Sequence, residues 1–212
     1  MKIENLKVYD LVESIIASGY PMRTDLENRE IEEKDLQRVC KLISASNGNG
    51  AHAQWLTGVR VAFDLTCTNK MWVEAERYRF LEFVSSQSTM HRIAKFDIAS
   101  QCNKYVDPLV IDRVEVLKKE YEADPTPENY LRLLYNIPSG FELTARLTTN
   151  YRCLLNVYIQ RKDHRLPEWR QFCEWIYENL PLFKDFVLAY QKKDRTLAEL
   201  QEEKAKLTDD LK

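Results

Sequence analysis

The stretch FELTARLTTNYRCLLNVYIQR, residues 141–161, joins two kinds of periodicity without a break. From Phe141 to Thr148, apolar residues alternate with polar ones, which predicts a β-strand. From Asn150 to about Lys162, apolar residues fall on nearly all sides of a helical wheel, which predicts a central helix. Because the two elements follow one another directly, we expect this strand and helix to organise the fold.

The rest of the chain carries one more clear strand and several helical patterns. The same alternation runs from Val59 to Cys67 and predicts a second strand. Apolar residues at helical spacing predict helices over residues 8–16, 31–46, 69–83 and 127–138, and another after Pro167. Asn47-Gly48-Asn49-Gly50 predicts a loop.

The length and composition are those of one globular domain. The 212 residues are 44% apolar and 30% charged, with 5 Gly and 7 Pro, which excludes collagen-like, low-complexity and wholly disordered chains. One domain is expected over residues 1–190, followed by a charged helical tail over 191–212. No segment has the roughly 20 apolar residues that cross a bilayer, and the N-terminus lacks a secretory signal pattern, so we expect a cytoplasmic protein.

The net charge, the cysteines and the absence of common motifs argue against several further classes of protein. Lys and Arg total 31 against 33 acids, and the net charge of -2 gives no reason to bind duplex nucleic acid or an anionic membrane. The 5 cysteines are scattered without a CxxC pair, so neither a disulfide framework nor a metal site is predicted. The sequence also lacks the glycine-rich dinucleotide fingerprint, the P-loop, and the zincin and serine-hydrolase motifs. Any phosphate site must therefore be local.

Four polar side chains interrupt the apolar helix at residues 150–161. Asn150 and Arg161 lie about 20° apart on one face, and Arg152 and Asn156 form a second polar stripe. Burying an unpaired Arg or Asn costs free energy, so these groups need partners. They either pair with protein carboxylates or cap strand ends, or they line a cavity and donate to a polyanionic or polyamide ligand.

A second polar cluster surrounds two arginines. Arg77 and Arg79 flank an aromatic ring, and hydroxyl side chains, a histidine and a third arginine follow within residues 85–92. Such donors suit phosphate oxygens at or beyond a helix end. The alternative is an exposed arginine pair that forms ion pairs with Glu74 and Glu76, followed by a serine-rich turn.

Together these segments resemble the flavin-dependent thymidylate synthases. In that family an Arg-His-Arg motif precedes a serine and a further arginine, and a later helix carries Asn-x-Arg-x-x-x-Asn-x-x-x-x-Arg after a strand. The helix motif is reproduced without a gap by Asn150, Arg152, Asn156 and Arg161. His52 lies 25 residues before Arg77, as a histidine does in the family pattern. The resemblance runs over roughly residues 36–180.

The resemblance implies a fold and an activity. The fold would be α+β and rich in helix, with a small mixed or antiparallel sheet flanked by helices, in a homotetramer with active sites at subunit interfaces. The protein would be an enzyme that uses FAD as hydride carrier and methylates dUMP to dTMP. Methylenetetrahydrofolate and NADPH would be its co-substrates.

The same resemblance implies site residues by position. The flavin-binding residues would be His52, Arg77, Tyr78, Arg79, Asn150, Arg152 and Asn156, with His52 also beside the folate. The dUMP-binding residues would be Glu74, Arg77, Ser86, Gln87, Ser88, Arg92 and Arg161. Arg161 would be catalytic, because it would bind the uracil ring and favour ionisation at N3. A guanidinium at that place stabilises charge that develops on the pyrimidine, so no cysteine nucleophile is needed.

Three departures from the family pattern alter the nucleotide region more than the flavin helix. Tyr78 replaces the central histidine of Arg-His-Arg, and Met90 stands where an arginine is expected. Arg132 lies two positions too early for the family's Ala-Arg-x-x-Leu-Pro segment. A divergent member is therefore expected. Three alternatives stay open: a hydroxymethylating relative of the same fold, a non-catalytic homologue that binds nucleotides, and a helical scaffold protein that binds neither flavin nor nucleotide.

Overall fold

The structure, a computed structural model, describes residues 1–26, 30–46 and 50–192. Most of the expected loop at 47–50 therefore lies outside the described residues, as does the charged tail from residue 193 onward. The chain divides into two compact units. Unit 1 comprises residues 1–7 and 62–148, and unit 2 comprises residues 8–61 and 149 onward.

Four strands form one antiparallel sheet. They are β1 (Lys2–Tyr9), β2 (Arg60–Thr68), β3 (Glu82–Ser86) and β4 (Glu142–Asn150). Their spatial order is β1-β2-β4-β3, so β1 and β3 are the edges. Along the β3–β4 pair, Glu82 lies opposite Thr148 and Ser86 lies opposite Ala145, with an irregularity between Phe83 and Ser85. Both predicted strands are present, as β2 and β4.

Helices make up most of the remaining described residues. In chain order they are α1 (Leu11–Ala17), α2 (Glu33–Ser46), α3 (Asn69–Ala75), α4 (Thr89–Arg92), α5 (Ile98–Gln101), α6 (Pro108–Ala123), α7 (Pro127–Tyr135), α8 (Tyr151–Arg161) and α9 (Pro167–Asn179). Short 3₁₀ segments occur at Tyr20–Met22, Ala51–Thr57 and Ile93–Lys95, and residues 183–192 are again helical. The helix-rich α+β class is thus confirmed. None of the described helices has the length and apolar character to cross a membrane.

The long helices of unit 1 begin where the sequence offers a cap and a proline. Asp107 accepts a hydrogen bond from the backbone N–H of Leu109 at 2.8 Å ahead of α6, and Thr126 accepts one from Asn129 at 3.3 Å ahead of α7. A proline follows each cap, where its missing N–H costs nothing. The two helices enclose a cluster of buried apolar side chains: Ile93, Ile98, Val114, Leu117, Leu133 and Phe141.

The core of unit 2 is aromatic. Tyr151, at the start of α8, packs edge-to-face against Phe183 at 5.5 Å between ring centroids, and Trp55 packs the same way against Phe186 at 5.3 Å. Trp169 and Phe172 of α9 are fully buried. Five residues of α8 are buried as well: Tyr151, Cys153, Leu154, Leu155 and Val157. The prediction of a central helix at this place is therefore confirmed.

The prediction of a helix over residues 8–16 is wrong at its start. Residues up to Tyr9 belong to β1, and α1 begins only at Leu11. The half-buried positions of β1 are Ile3, Leu6 and Val8, because Asn5 adopts a left-handed conformation with φ 51° and breaks the strict alternation. Val8 stands three and four residues before Leu11 and Val12 of α1, and this spacing imitates a helical pattern in the sequence.

The prediction of a helix over residues 69–83 is wrong at its end. The helix stops at Ala75, and Glu82–Ser86 form the edge strand β3, whose five residues are all exposed. Phe83 and Val84 have side chains that favour strands, and β4 supplies the backbone partners. Those partners are about sixty residues away in sequence, so local periodicity does not reveal them.

Candidate functional site

The start of α8 is fixed by Asn150. Its Oδ1 accepts a hydrogen bond from the backbone N–H of Cys153 at 2.9 Å, and the side chain is 4% exposed. The backbone N–H of Tyr151 donates to the carbonyl of Val59 at 3.1 Å. Asn is a preferred N-cap because its oxygen satisfies one of the free N–H groups of the first turn. The oxygen of Asn150 thus has a protein partner, although it caps the start of a helix and not the end of a strand as one of the two interpretations expected.

The buried Thr149 hydroxyl stands beside this cap. Among the described residues, its Oγ1 has no hydrogen-bond partner although it is shielded from solvent. The amide of the half-buried Asn156 likewise forms no hydrogen bond to any described residue. Thr149 lies two residues before α8 and Asn156 lies in its middle turn. Polar atoms shielded from solvent normally find partners. This part of the helix therefore retains hydrogen-bonding capacity toward a ligand.

Arg152 connects α8 to the 3₁₀ segment Ala51–Thr57. One Nη1 hydrogen bond reaches the side-chain oxygen of Gln54. The exposed His52 lies two residues earlier on the same segment. Unit 2 thus brings together two of the predicted flavin-binding elements, the helix with Arg152 and the segment with His52. Sequence analysis did not single out Gln54, because nothing in its spacing connects it to a residue 98 positions away.

A cavity of about 720 Å³ lies beside this segment. It is bounded by α1, α2 and the 3₁₀ residues, among them His52, Gln54 and Trp55. One wall is Arg38, whose Nη1 lies 2.6 Å from Oδ1 of the fully buried Asp35. Arg38 also donates from Nη2 to the carbonyl of Ile15 at 2.9 Å. Sequence analysis missed this ion pair, since Asp35 and Arg38 look like ordinary surface charges of an amphipathic helix.

Arg161 ends α8 and is held by the turn and helix that follow. Its guanidinium carbon lies 5.1 Å from the centroid of the Trp169 ring, and its Nη1 lies 2.7 Å from Nε2 of His164. Burial raises the pKa of the neighbouring Cys173 thiol to about 12, an effect that the Arg161 charge opposes. Arg161 is therefore a half-buried cation that lies against the buried tryptophan of α9.

The arginine pair lies in unit 1, in the turn after α3. Arg77 and Arg79 are exposed, and the Arg79 guanidinium lies 5.6 Å from the ring centroid of Phe80. Glu74 forms an ion pair with Lys70 at 3.4 Å. Half-buried Tyr78 donates its backbone N–H to the carbonyl of Ala75, which closes the helix. This turn presents two cations that are open to solvent.

The hydroxyl-rich stretch follows β3 in the same unit. The backbone N–H of Gln87 donates to the carbonyl of Thr144 at 2.9 Å, and Gln87 Oε1 accepts from the Thr144 N–H at 2.9 Å. Ser88 Oγ lies 3.0 Å from Nδ1 of His91, ahead of the exposed Arg92. His91 and Arg92 border a cavity of about 340 Å³ with Tyr121 and Tyr130. Both the backbone and the side chain of Gln87 are thus hydrogen-bonded to the backbone of Thr144 in β4.

The candidate residues fall into two sets, one in each unit. Unit 1 holds Glu74, Arg77, Tyr78, Arg79, Ser86, Gln87, Ser88 and Arg92. Unit 2 holds His52, Asn150, Arg152, Asn156 and Arg161. Within unit 2, the described contacts connect Arg152 to the His52 segment, whereas Arg161 lies nine residues further along α8, against α9.

Comparison with known proteins gives a clear result for structure only. No protein-family model matches the chain, and no curated protein matches its sequence. Among solved structures, the chain is similar to the flavin-dependent thymidylate synthase ThyX from Helicobacter pylori complexed with FAD and dUMP. The TM-score is 0.69 at 14% identity, over 91% of this chain and 99% of that one.

The chain has the fold of a flavin-dependent thymidylate synthase. A second structure of the Helicobacter pylori protein with FAD and dUMP gives a TM-score of 0.67 at 15% identity, over 88% of this chain and 99% of that one. The resemblance found in the sequence is therefore confirmed at the level of the fold. At 14–15% identity the likeness is one of fold, and one fold carries many functions.

Proposed function

We propose that the protein binds FAD and a pyrimidine deoxynucleotide and transfers a one-carbon unit from methylenetetrahydrofolate to C5 of the pyrimidine. In its simplest form the reaction converts dUMP to dTMP, with NADPH as electron donor. The observation that carries the proposal is a likeness over 91% of the chain to a synthase bound to FAD and dUMP. The sequence resemblance assigns flavin contacts to the polar side chains of α8, which is a second support for the proposal.

The side chains on and beside α8 fit a flavin. A flavin ring presents carbonyl oxygens and ring nitrogens, which take hydrogen bonds from amides and guanidinium groups. Asn156 and Thr149 have hydrogen-bonding groups that no described residue uses, and Arg152 and His52 lie on neighbouring elements. We assign Asn150, Arg152, Asn156 and His52 to this role, together with Arg77, Tyr78 and Arg79. When bound, FAD supplies the hydride-transfer chemistry.

Arg161 is the residue that we assign to the pyrimidine ring. A guanidinium stays charged at all physiological pH values and donates in fixed directions, so it stabilises negative charge on a uracil ring. The Trp169 ring beneath it limits its motion, which makes the positive charge a preorganised one. The sugar and phosphate would be held by Glu74, Arg77, Ser86, Gln87, Ser88 and Arg92.

We also propose that the protein acts as a homotetramer, with residues 1–190 as one functional domain and the charged tail beyond it. The edge strand β3 supports an assembly of copies, because Phe83 is 41% and Val84 61% exposed there. Apolar side chains on an open strand edge favour a protein contact.

A non-catalytic nucleotide-binding homologue is the second candidate. The observation that favours it is Arg132, which would have to serve the nucleotide but forms an ion pair with Glu120 at 3.0 Å and a side-chain contact with Asn129. Tyr78, which replaces the histidine of the family motif, also favours the non-catalytic homologue. Binding of both flavin and dUMP without turnover would favour this candidate.

The proposal is tested by incubating the purified protein with FAD, NADPH, methylenetetrahydrofolate and dUMP, and by identifying the nucleotide product by mass. Formation of dTMP supports thymidylate synthesis, and a hydroxymethyl product supports the hydroxymethylating relative instead. Arg161→Ala should lower turnover about a hundredfold or more while flavin stays bound, because only the charge on the pyrimidine loses its partner. Loss of flavin with normal dUMP binding would contradict the assignment of Arg161.

A further inference from the structure

The turn between α8 and α9 holds His164 against the end of α8. Nε2 of His164 lies 2.7 Å from Nη1 of Arg161, three residues earlier. On the other side of the ring, the backbone N–H of Leu166 points at Nδ1 from 3.2 Å. Both ring nitrogens therefore face hydrogen-bond donors.

The chemistry of the two donors decides which nitrogen accepts. A guanidinium has no acceptor and does not lose its proton, so Nε2 of His164 must accept from Arg161. A hydrogen bond from a charged donor is about twice as strong as one between neutral groups. The neutral ring with its proton on Nδ1 is therefore the favoured form. A doubly protonated ring would turn an N–H toward the guanidinium at 2.7 Å.

The turn itself is held in place by α9. Arg170 donates from Nη1 to the carbonyl oxygens of His164 and Arg165, at 2.5 Å and 3.1 Å. The guanidinium of Arg161 also lies over the ring of the fully buried Trp169. The titratable and charged groups on the surrounding elements are Tyr158 and Arg161 on α8, Lys162, Asp163 and Arg165 in the turn, and Glu168, Arg170, Cys173, Glu174, Tyr177 and Glu178 on α9.

We infer that His164 is a positioning residue for Arg161. By accepting from Nη1 it fixes the rotation of the guanidinium over the Trp169 ring, and it does so only while the imidazole is neutral. The inference rests on the proposed role of Arg161 toward the pyrimidine nucleotide. It follows that nucleotide affinity falls when His164 is protonated, because the ring then no longer accepts from Arg161.

The contact is first tested without any nucleotide. The chain has 3 histidines, so side-chain ¹⁵N resonances are few, and the one missing in His164→Gln identifies the ring. Nε2 of His164 should be unprotonated in the wild-type protein at neutral pH. In Arg161→Met, the ring should switch to the tautomer with its proton on Nε2, because the N–H of Leu166 still donates to Nδ1. A wild-type ring that already carries its proton on Nε2 would overturn the inference.

The consequence is tested by titrating the FAD-loaded protein with dUMP at a series of pH values, roughly pH 5.5 to 8. His164→Ala should weaken dUMP binding about tenfold at neutral pH without loss of FAD, because a hydrogen bond to a charged group is lost. His164→Gln keeps an acceptor oxygen, so it should restore most of the affinity and remove the extra loss at acid pH. Arg165→Ala, a change of an exposed side chain in the same turn, should behave like the wild type.

Two results would overturn the positioning role. One is His164→Ala with wild-type dUMP affinity at every pH. The other is an acid loss of affinity that is identical in the wild type and in His164→Gln, since the phosphate of dUMP titrates equally in both. A wild-type protein that binds no dUMP at all would instead contradict the proposed function, and the ¹⁵N measurement would still decide the contact between His164 and Arg161.

Discussion

The α8–α9 corner and the segment that follows α3 carry the same kinds of polar side chain in opposite surroundings. At the corner, Arg161 lies over a fully buried tryptophan, and at the other end of α8 Asn150 is 4% exposed and caps the helix. In residues 76–92, Arg77, Arg79 and Arg92 are exposed, and every residue of β3 is exposed. On α8 and at the corner, contacts within one chain thus hold the polar side chains in place, whereas in residues 76–92 the arginine side chains are exposed to solvent. The two regions should respond very differently to substitution.

The largest difference is expected for aromatic side chains. Trp169→Ala should lower the free energy of unfolding by about 3–5 kcal/mol, because it removes a fully buried ring and leaves a cavity. Phe83→Ala on the exposed edge strand should cost about 1 kcal/mol, mainly through its contact with Trp72. Urea unfolding followed by circular dichroism measures both. Equal losses would mean that the edge strand is as much a part of the core as α9.

A smaller difference is expected for caps. Asn150→Ala should lower the free energy of unfolding by about 1–2 kcal/mol, because the N–H of Cys153 loses its acceptor. Asn150→Asp keeps an acceptor and should lose much less. Ser88→Ala ahead of α4 should change stability by less than about 0.5 kcal/mol, since its side chain makes no capping bond. The same unfolding assay would contradict this account if the two alanine variants lost equal stability.

The smallest effect is expected from pH. Burial raises the pKa of Cys173 from 9.0 to about 12, so the folded protein prefers the protonated thiol. The stability that this preference contributes is complete below pH 9 and is lost as the pH rises toward 12. At pH 10 the loss in the free energy of unfolding is about 1 kcal/mol. Cys173→Ala should therefore flatten the fall in stability between neutral pH and pH 10, measured under reducing conditions.

Cys102 in unit 1 provides the matched control for this measurement. Its pKa is also raised, by burial and by the charge of Glu115, but the side chain is only half-buried. Cys102→Ala should flatten the profile less than Cys173→Ala. A profile that neither substitution alters would show that other buried groups, such as Tyr151, dominate the alkaline range.

The same contrast explains which parts of the fold the sequence predicts. β4 and α8 are predictable because the alternation, the cap and the apolar wheel are local signals. β3 is not predictable, because an exposed edge strand has no buried face that alternation would reveal. Its conformation depends on backbone pairing with β4, which is distant in sequence. β1 is not predicted because the left-handed conformation of Asn5 shifts its half-buried positions and removes the strict alternation of a strand.

The candidate site is predictable to a similar extent. The motif predicts that Arg152 and Arg161 stand on one helix, and this holds. Their partners Gln54, His164 and Trp169 are invisible in the sequence, because which side chains meet depends on how the 3₁₀ segment and the α8–α9 turn fold back. The roles of the predicted residues toward flavin and nucleotide stay predictions.

The most direct measurement is the visible absorbance spectrum of the purified protein mixed with FAD and then titrated with dUMP, beside the Asn156→Ala variant. We expect a bound-flavin spectrum that dUMP perturbs, and weaker flavin retention in the variant at unchanged stability, because Asn156 has no hydrogen bond to any described residue that its loss would break. A protein that leaves the FAD spectrum unchanged, with or without dUMP, would contradict the assignment of α8 to flavin binding.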